Sequence, residues 1–204
     1  MPGTLVKLET LSQPAQEPVA IDDFVFYLHA DGNEKPLLED ILLSARQEIE
    51  EKTGKAFFTQ TLQATYSFPY HAMGIYSPEE DDRMILELPR SPVQSVTSVA
   101  IEITQENFSV VAPENYLVSL SSPTDIALFA TAFGGVTFPW WISTHVQPRA
   151  RVVFVAGHTS VDEVSRGDTL LIKKLGAYHY LNREEAQLPP ALSRAINARK
   201  IWTL

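Results

Sequence analysis

The chain has 204 residues, of which 45% are hydrophobic and 20% charged, and its formal net charge is −9 at pH 7. This composition is typical of a soluble globular protein, and the acidic excess disfavours a general nucleic-acid binder, which needs clustered Lys and Arg. No apolar run reaches the ~20 residues that span a bilayer, and the absence of cysteine excludes disulfides and thiolate metal sites, so we expect a single domain over residues 1–204 without a membrane segment.

The first part of the chain predicts an arm followed by a short helix. Residues 1–18 lack periodicity and contain three prolines, which indicates an extended arm with at most a short strand at residues 4–8. Residues 19–30 have apolar side chains at helical spacing and two acidic residues near the start, as expected for a short amphipathic helix. Its apolar stripe consists of Ile21, Phe24, Val25 and Leu28.

Residues 36–57 form the clearest helical pattern in the sequence. Pro36 suits a first helical turn, and Gly54 can adopt the left-handed conformation that ends a helix. The buried stripe consists of Leu38, Ile41, Leu42, Ala45 and Ile49. Together with the preceding helix, this segment predicts a helical hairpin over residues 19–57.

From residue 58 to residue 160 the pattern changes to β-strands. Short runs of β-branched and aromatic residues, bounded by Pro, Gly and Ser, predict an antiparallel layer of about five or six strands. The runs are residues 58–68, 84–88, 93–103, 116–120 and 151–156. Two long loops, residues 69–83 and 121–148, interrupt them, and loops of this length are usually functional or ordered by a partner.

The chain returns to helices in residues 168–204. Asp168 can cap a helix that runs to about residue 185, and Pro189 with Pro190 opens a last helix over residues 191–202. Because helices, strands and helices follow one another in separate blocks, we predict an α+β fold. In this fold, the N-terminal hairpin and the C-terminal helices pack with an inserted antiparallel β-layer.

The sequence contains no recognisable catalytic, cofactor or metal site. The five histidines lack metal-ligand spacing, no phosphate-binding glycine loop is present, and no serine lies in a G-x-S-x-G setting. The acidic run Glu79, Glu80, Asp81 and Asp82 lacks the ligand spacing of a calcium loop and indicates a solvated loop tip. Trp140 and Trp141 stand in a Gly- and Pro-rich loop, where they are either part of the core or anchors for a partner or a neighbouring subunit.

The C-terminal segment is charged differently from the rest. Residues 168–204 contain six basic and three acidic residues, a net charge of +3, which leaves −12 for the remainder. Leu188-Pro189-Pro190 breaks the preceding helix, so we expect the last helix to point away from the body and to dock in a groove with an acidic rim. The predicted apolar anchors are Leu192, Ile196 and Trp202, and the charged contacts are Arg194, Arg199 and Lys200.

Several segments together resemble the head-tail connector (adaptor) proteins of tailed bacteriophages and gene transfer particles. The similar segments are ARQEIEEKTGKAF (residues 45–57), LELPRSPVQSVTSV (86–99), RVVFVAGH (151–158), and YHYLNRE (178–184) followed by Leu-Pro-Pro (188–190). They occur in the order found in that family and cover roughly residues 18–202. The order makes the resemblance stronger than any one segment does.

The resemblance implies a structural virion protein of the neck, made in the bacterial host cytoplasm, without catalysis or cofactor. It implies a ring of twelve subunits that docks beneath the portal protein, with the C-terminal segment gripping the portal and a stopper or tail terminator on the tail side. DNA would pass through the ring without specific binding, which agrees with an acidic body. The alternatives are a tail-completion or other non-enzymatic virion protein, and an enzyme that uses the carboxylates at residues 79–82.

Overall fold

The computed structural model describes residues 3–67, 84–104, 107–120, 124–128, 149–182 and 187–201. The chain divides into two compact units. The β unit comprises Met1–Gln13, Gln60–Ala156 and Thr203–Leu204, and the helical unit comprises Pro14–Thr59 and Gly157–Trp202. All but the first of the described strands are thus inserted between two helical segments of the sequence, and the predicted α+β fold is confirmed.

The described part of the helical unit contains four α-helices. They are α1 (Ile21–Leu28), α2 (Lys35–Thr53), α3 (Arg166–Leu181) and α4 (Pro190–Asn197), with short 3-10 turns at Gly32–Glu34 and Val161–Glu163. Helix α2 ends at Thr53, as the sequence predicted, because Gly54 adopts a left-handed conformation, with φ of 75°. Its N–H group donates to the carbonyl oxygen of Glu50 at 3.0 Å, which closes the last turn.

Helix α2 buries the stripe that its sequence predicted. Four of the five stripe residues are buried and Ile41 is partly buried, and the other three helices pack around α2. The buried core of the unit includes Phe24 of α1, Ile172 and Leu175 of α3, and Ile196 of α4. Apolar residues from both ends of the chain therefore form one core around α2.

Arg46 and Glu50 lie in this core, although the sequence pattern predicts that both lie on the polar side of α2. Arg46 is only 1% exposed. Its Nη1 donates to Glu50 Oε2 at 2.6 Å, and its Nε donates to Glu17 Oε2 at 2.8 Å. Glu50 Oε1 also accepts from the backbone N–H of Phe57 at 2.8 Å. The prediction was wrong because Arg46 and Glu50 pair with each other, and Glu17, 29 residues away, and the Phe57 N–H add contacts to charges that would otherwise have to stay in water. Burial raises the pKa of Glu17 despite the nearby Arg46.

The described part of the β unit contains eight strands in two antiparallel sheets. The strands are β1 (Thr4–Ser12), β2 (Gln60–Ser67), β3 (Met84–Glu87), β4 (Val93–Thr104), β5 (Asn107–Val110), β6 (Tyr116–Ser119), β7 (Asp125–Leu128) and β8 (Arg149–Ala156). The five-stranded sheet has the order β1-β2-β8-β4-β5, and the three-stranded sheet has the order β3-β7-β6. In β8, alternate residues Ala150, Val152, Phe154 and Ala156 are buried, as expected for a sheet with one face on a core.

Three of these strands were not predicted in full. Residues 4–12 form β1, a strand of nine residues that pairs with β2 from Thr4–Ser67 to Ser12–Thr61, where the sequence indicated at most a short strand in an arm. Strand β5 was not predicted at all, and β7 lies in a segment that was predicted to be a loop. Strands β1 and β7 each pair with a strand that is distant in sequence, and β5 forms a hairpin with β4. Local composition does not reveal either kind of pairing.

Side-chain contacts reinforce both sheets. Arg149 binds Glu102 through two hydrogen bonds of 2.6 and 2.7 Å, and the guanidinium of Arg151 lies 3.9 Å from the centre of the Phe108 ring. The Tyr66 hydroxyl donates to the carbonyl oxygen of Glu87 at 2.6 Å, and burial raises the pKa of Tyr66. These contacts tie β4 to β8 and β2 to the end of β3.

We predict that Ile49→Asp prevents the helical unit from folding. Ile49 is 0% exposed, and an unpaired carboxylate in its place costs several kcal/mol, comparable to the whole stability of a small domain. Leu43→Asp on the same helix is the control, since Leu43 is 37% exposed and is expected to change stability by less than ~1 kcal/mol. Thermal unfolding followed by circular dichroism measures both, and a cooperative transition in the Ile49 variant would contradict the prediction.

Candidate functional site

The last helix lies against the helical unit. Helix α4 packs against α2 and α3, Ile196 is 1% exposed, and Leu192 is partly buried against the same core. Helix α3 ends at Leu181, well before the prolines, and hydrogen bonds return the chain to the helical unit. The Tyr178 hydroxyl donates to Gln187 O at 2.6 Å, and Ile201 N donates to Thr53 O at 2.7 Å. The prediction that this helix points away from the body is therefore wrong.

Arg199 is held by a cluster centred on Asp168. The carboxylate of Asp168 accepts from Arg199 Nε at 2.9 Å, from Lys55 Nζ at 2.8 Å and from the Ser165 hydroxyl at 2.8 Å. Asp168 was predicted as the cap of α3, but the cap is Ser165, whose hydroxyl accepts from the N–H of Asp168 at 3.1 Å. Asp168 instead lies one turn inside the helix, where it binds the end of α2 and the segment after α4.

The structure brings together only part of the predicted docking set. Ile196 is a core residue and Arg199 is paired within the chain, so neither side chain is free to act as an anchor or a charged contact for a partner. Arg194 is exposed, with its Nε donating to Pro190 O in the same helix at 3.3 Å, and Lys200 is also exposed. Trp202 lies outside the described residues, as do Trp140, Trp141 and the acidic run at residues 79–82. The portal-docking role stays a prediction. Among the described residues, the exposed side of α4 is the surface that would make this contact.

Helix α1 presents an acidic face with large exposed aromatic side chains. Phe26 is 79% exposed and Tyr27 is 40% exposed, and both lie beside the exposed carboxylates of Asp22 and Asp23. We call these four residues the acidic face. Asp22 binds Lys35 Nζ at 2.6 Å, and Asp23 lies 3.9 Å from Lys173 Nζ. An open pocket of about 370 Å³ adjoins the face and is lined by Asp23, Phe26, Tyr27, His29 and Lys173.

Helix α3 presents an exposed face of the opposite charge. Arg166, Leu170, Lys174 and Leu181 are all exposed, at spacings of four, four and seven residues, which places them on one side of the helix. We call these four residues the basic stripe. Leu181 is 73% exposed and Leu170 is 45% exposed. Within the part of the chain that the structure describes, the side chains of Arg166 and Lys174 form no ion pair.

Neither face was predicted from the sequence, although the sequence contains a signal for both. Phe26 lies off the predicted stripe of α1, and Leu170 and Leu181 lie off the side of α3 that buries Leu171, Ile172 and Leu175. A large apolar residue outside the buried stripe of an amphipathic helix has no place in the core of its own chain. Such residues indicate contact surfaces when several of them share one unit.

The described residues contain no candidate metal centre. Among them, no three His, Cys, Asp or Glu side chains lie close enough together to hold a metal ion. His179 Nε2 and Glu48 Oε2 are 2.9 Å apart, a contact that links α3 to α2. None of the described helices has both the length and the hydropathy needed to cross a membrane.

The fold is similar to that of proteins in the neck of gene transfer agent (GTA) particles. Neither a protein-family model nor a curated protein sequence matches the chain. Solved structures do match. One chain comes from the neck of an empty GTA particle computed with C6 symmetry, with a TM-score of 0.67 and 16% identity. A second comes from the virion of a native GTA particle, with a TM-score of 0.64 and 17% identity. A third comes from the neck of a native GTA particle computed with C12 symmetry, with a TM-score of 0.63 and 18% identity.

Each of these matches covers 98% of this chain and 97% of the other, so both units and their order along the sequence are included. The fold implied by the resemblance to head-tail connectors is therefore confirmed. At 16 to 18% identity, what is shared is the fold.

We predict that Ile196→Ala lowers the free energy of unfolding of the helical unit by about 3 kcal/mol, because it leaves a cavity beside α2. Arg194→Ala in the same helix is the control and is expected to change stability by less than ~0.5 kcal/mol, since Arg194 is exposed. Urea unfolding measures both variants. Equal small effects would show that α4 is not part of the core and would restore the prediction of a free docking helix.

We also predict that Asp168→Asn destabilises the protein by about 2 kcal/mol, because it removes the charge that accepts from Lys55 and Arg199. Asp162→Asn, in the exposed turn before α3, is the matched control with an expected effect near zero. Urea unfolding at two salt concentrations checks this result. An equal loss of stability in both variants would show that the Asp168 cluster does not stabilise the protein.

Proposed function

We propose that this chain is a structural component of the neck of a tailed-phage-like particle, where it joins the DNA-filled head to the tail. The observation that carries the proposal is the full-length match to a GTA neck chain, with a TM-score of 0.67 and 98% of this chain covered. A match over both units is more specific than a match to either unit alone, because it includes the insertion of the β unit between helical segments.

In the proposed function, copies of this chain assemble into a ring. Matching chains occur in necks computed with C6 and C12 symmetry, which supports a cyclic assembly, and we propose twelve copies. In a cyclic ring each copy contacts its two neighbours through two different surfaces. DNA passes through the ring without specific binding, because a chain with a net charge of −9 repels phosphates.

Within the neck we propose the adaptor position, beneath the portal and above a stopper or tail terminator. The C-terminal segment is the proposed portal contact, through the exposed Arg194 and Lys200 and through Trp202. Because Ile196 and Arg199 hold α4 on the helical unit, this contact uses a fixed surface of α4. The proposed function is non-enzymatic.

The test is to delete the gene for this chain from the genome that encodes the particle and to image the resulting particles by electron microscopy. We expect heads without attached tails, and complementation with the wild-type gene should restore complete particles. A variant with Glu79, Glu80, Asp81 and Asp82 replaced by Ala should restore them as well, since no catalytic carboxylate is involved. Complete, functional particles in the deletion strain would overturn the proposal.

A binding experiment distinguishes the adaptor from a tail-completion protein. The purified chain is mixed either with the portal protein of the same particle or with its tail tube, and the complexes are imaged by electron microscopy. We expect a ring coaxial with the portal. Binding to the tail tube alone would assign the chain to the tail side, and Arg194→Glu should weaken portal binding by roughly tenfold if α4 is the contact.

A further inference from the structure

We infer that neighbouring copies of this chain bind through the acidic face of α1 on one copy and the basic stripe of α3 on the next. The inference rests on the proposed ring and names the surfaces that close it. The partner of each face is therefore a second copy of this chain. Exposed apolar area, charge and position on the helical unit all support this pairing.

Both faces expose apolar side chains that a free surface would not favour. Phe26 is 79% exposed on the acidic face, and Leu181 is 73% and Leu170 45% exposed on the basic stripe. Aromatic and large aliphatic side chains surrounded by charges form the usual composition of a protein interface, with an apolar centre and a polar rim. Each face has the composition of an interface on its own.

The charges of the two faces are complementary. The acidic face carries Asp22 and Asp23, and the basic stripe carries Arg166 and Lys174. Each of these aspartates lies near one lysine of its own chain, Asp22 at 2.6 Å from Lys35 and Asp23 at 3.9 Å from Lys173, but their side chains stay 78% and 70% exposed and can accept a further cation. The guanidinium of Arg166 and the ammonium of Lys174, by contrast, have no carboxylate partner among the described residues. A second copy supplies the missing carboxylates, and this complementarity also selects α1 of the neighbour over a second basic stripe.

The basic stripe lies beside, and not within, the side of α3 that packs on α1 in the same chain. The side of α3 that contacts α1 is marked by Gly176, where an added Cβ would lie 2.8 Å from Cζ of Phe24. Gly176 follows Lys174 by two residues, or ~200° around the helix, so Lys174 lies on the side of α3 opposite to Gly176. Two unlike, complementary faces that point in different directions on one unit are what a cyclic interface requires, whereas a twofold dimer needs one face that matches itself.

A charge-swap experiment tests the inference. One variant carries Asp22→Lys and Asp23→Lys, and the other carries Arg166→Glu and Lys174→Glu. In each variant alone, the two faces have the same sign of charge, so we expect ring formation to weaken by roughly tenfold or more. An equimolar mixture should restore rings, because each copy of one variant then meets a complementary face on the other, and the restored rings should contain even numbers of copies in strict alternation.

The control variant carries Glu39→Lys and Asp40→Lys, a pair of adjacent exposed acids on α2 that belongs to neither face. It should form rings like the wild type. Circular dichroism melting verifies that every variant is folded, and native mass spectrometry over a concentration series, without and with the portal protein, counts the copies.

The outcomes separate the inference from the proposed function. Rings that form equally well in both charge variants, or a mixture of folded variants that does not recover, overturn the pairing of these faces and leave the ring intact. A wild-type chain that forms no ring at any concentration, and none with the portal, overturns the ring and with it the inference. Recovery of rings with more than two copies in the mixture supports the inference, since a reciprocal twofold contact between the same faces would give only dimers.

Discussion

The burial of one stripe of α2 is the constraint on which the helical unit depends. Its other helices come from both sides of the inserted β unit, α1 from before it and α3 and α4 from after it. None of these short helices would be stable alone in water, and each gains its stability from packing on α2. The chain must therefore return to α2 after the insertion, and the Asp168 cluster and the Ile201–Thr53 hydrogen bond lie where it does so.

Apolar burial alone does not specify this return, and the buried charges supply the specificity. Arg46 joins Glu17 and Glu50 at the middle of α2, and Asp168 joins Lys55 and Arg199 beyond its end. Each cluster connects segments that are far apart in sequence, up to 113 residues for Lys55 and Asp168. A shifted packing of the helices would leave these charges buried without partners, at a cost of several kcal/mol, so the clusters favour one arrangement over its alternatives.

The sequence predicted what is local and missed what is not. The stripe of α2 and its end at Gly54 follow from spacing within one segment, and both are confirmed. The burial of Arg46 depends on Glu17, and the pairing of β1 depends on residues of β2 that lie 49 to 63 positions later, so no short window of the sequence contains either fact. Ile196 shows a further limit, since an apolar residue on a short amphipathic helix has the same pattern whether it enters its own core or a partner's groove.

The strand edges offer a second way to join copies in the proposed ring, and sheet geometry argues against it. Strands β1 and β5 are the edges of the five-stranded sheet, and extending the sheet into the next copy would pair them. Adjacent strands twist by ~20 to 25°, so a sheet that continued through one whole copy would turn by roughly 100 to 125°. A twelvefold axis turns each copy by only about 30° and a sixfold axis by about 60°.

A continuous sheet would therefore have to flatten, whereas the register shifts in β1 increase local twist. The ion pair of Lys7 and Glu9, 2.7 Å apart on β1, also places charge on that edge, which discourages pairing. Rigid helices impose no such rotation on their neighbours, since a helix can pack on another at several crossing angles. The geometry of a cyclic neck thus favours contacts between helices, and α1 and α3 are the helices of this chain that expose complementary faces.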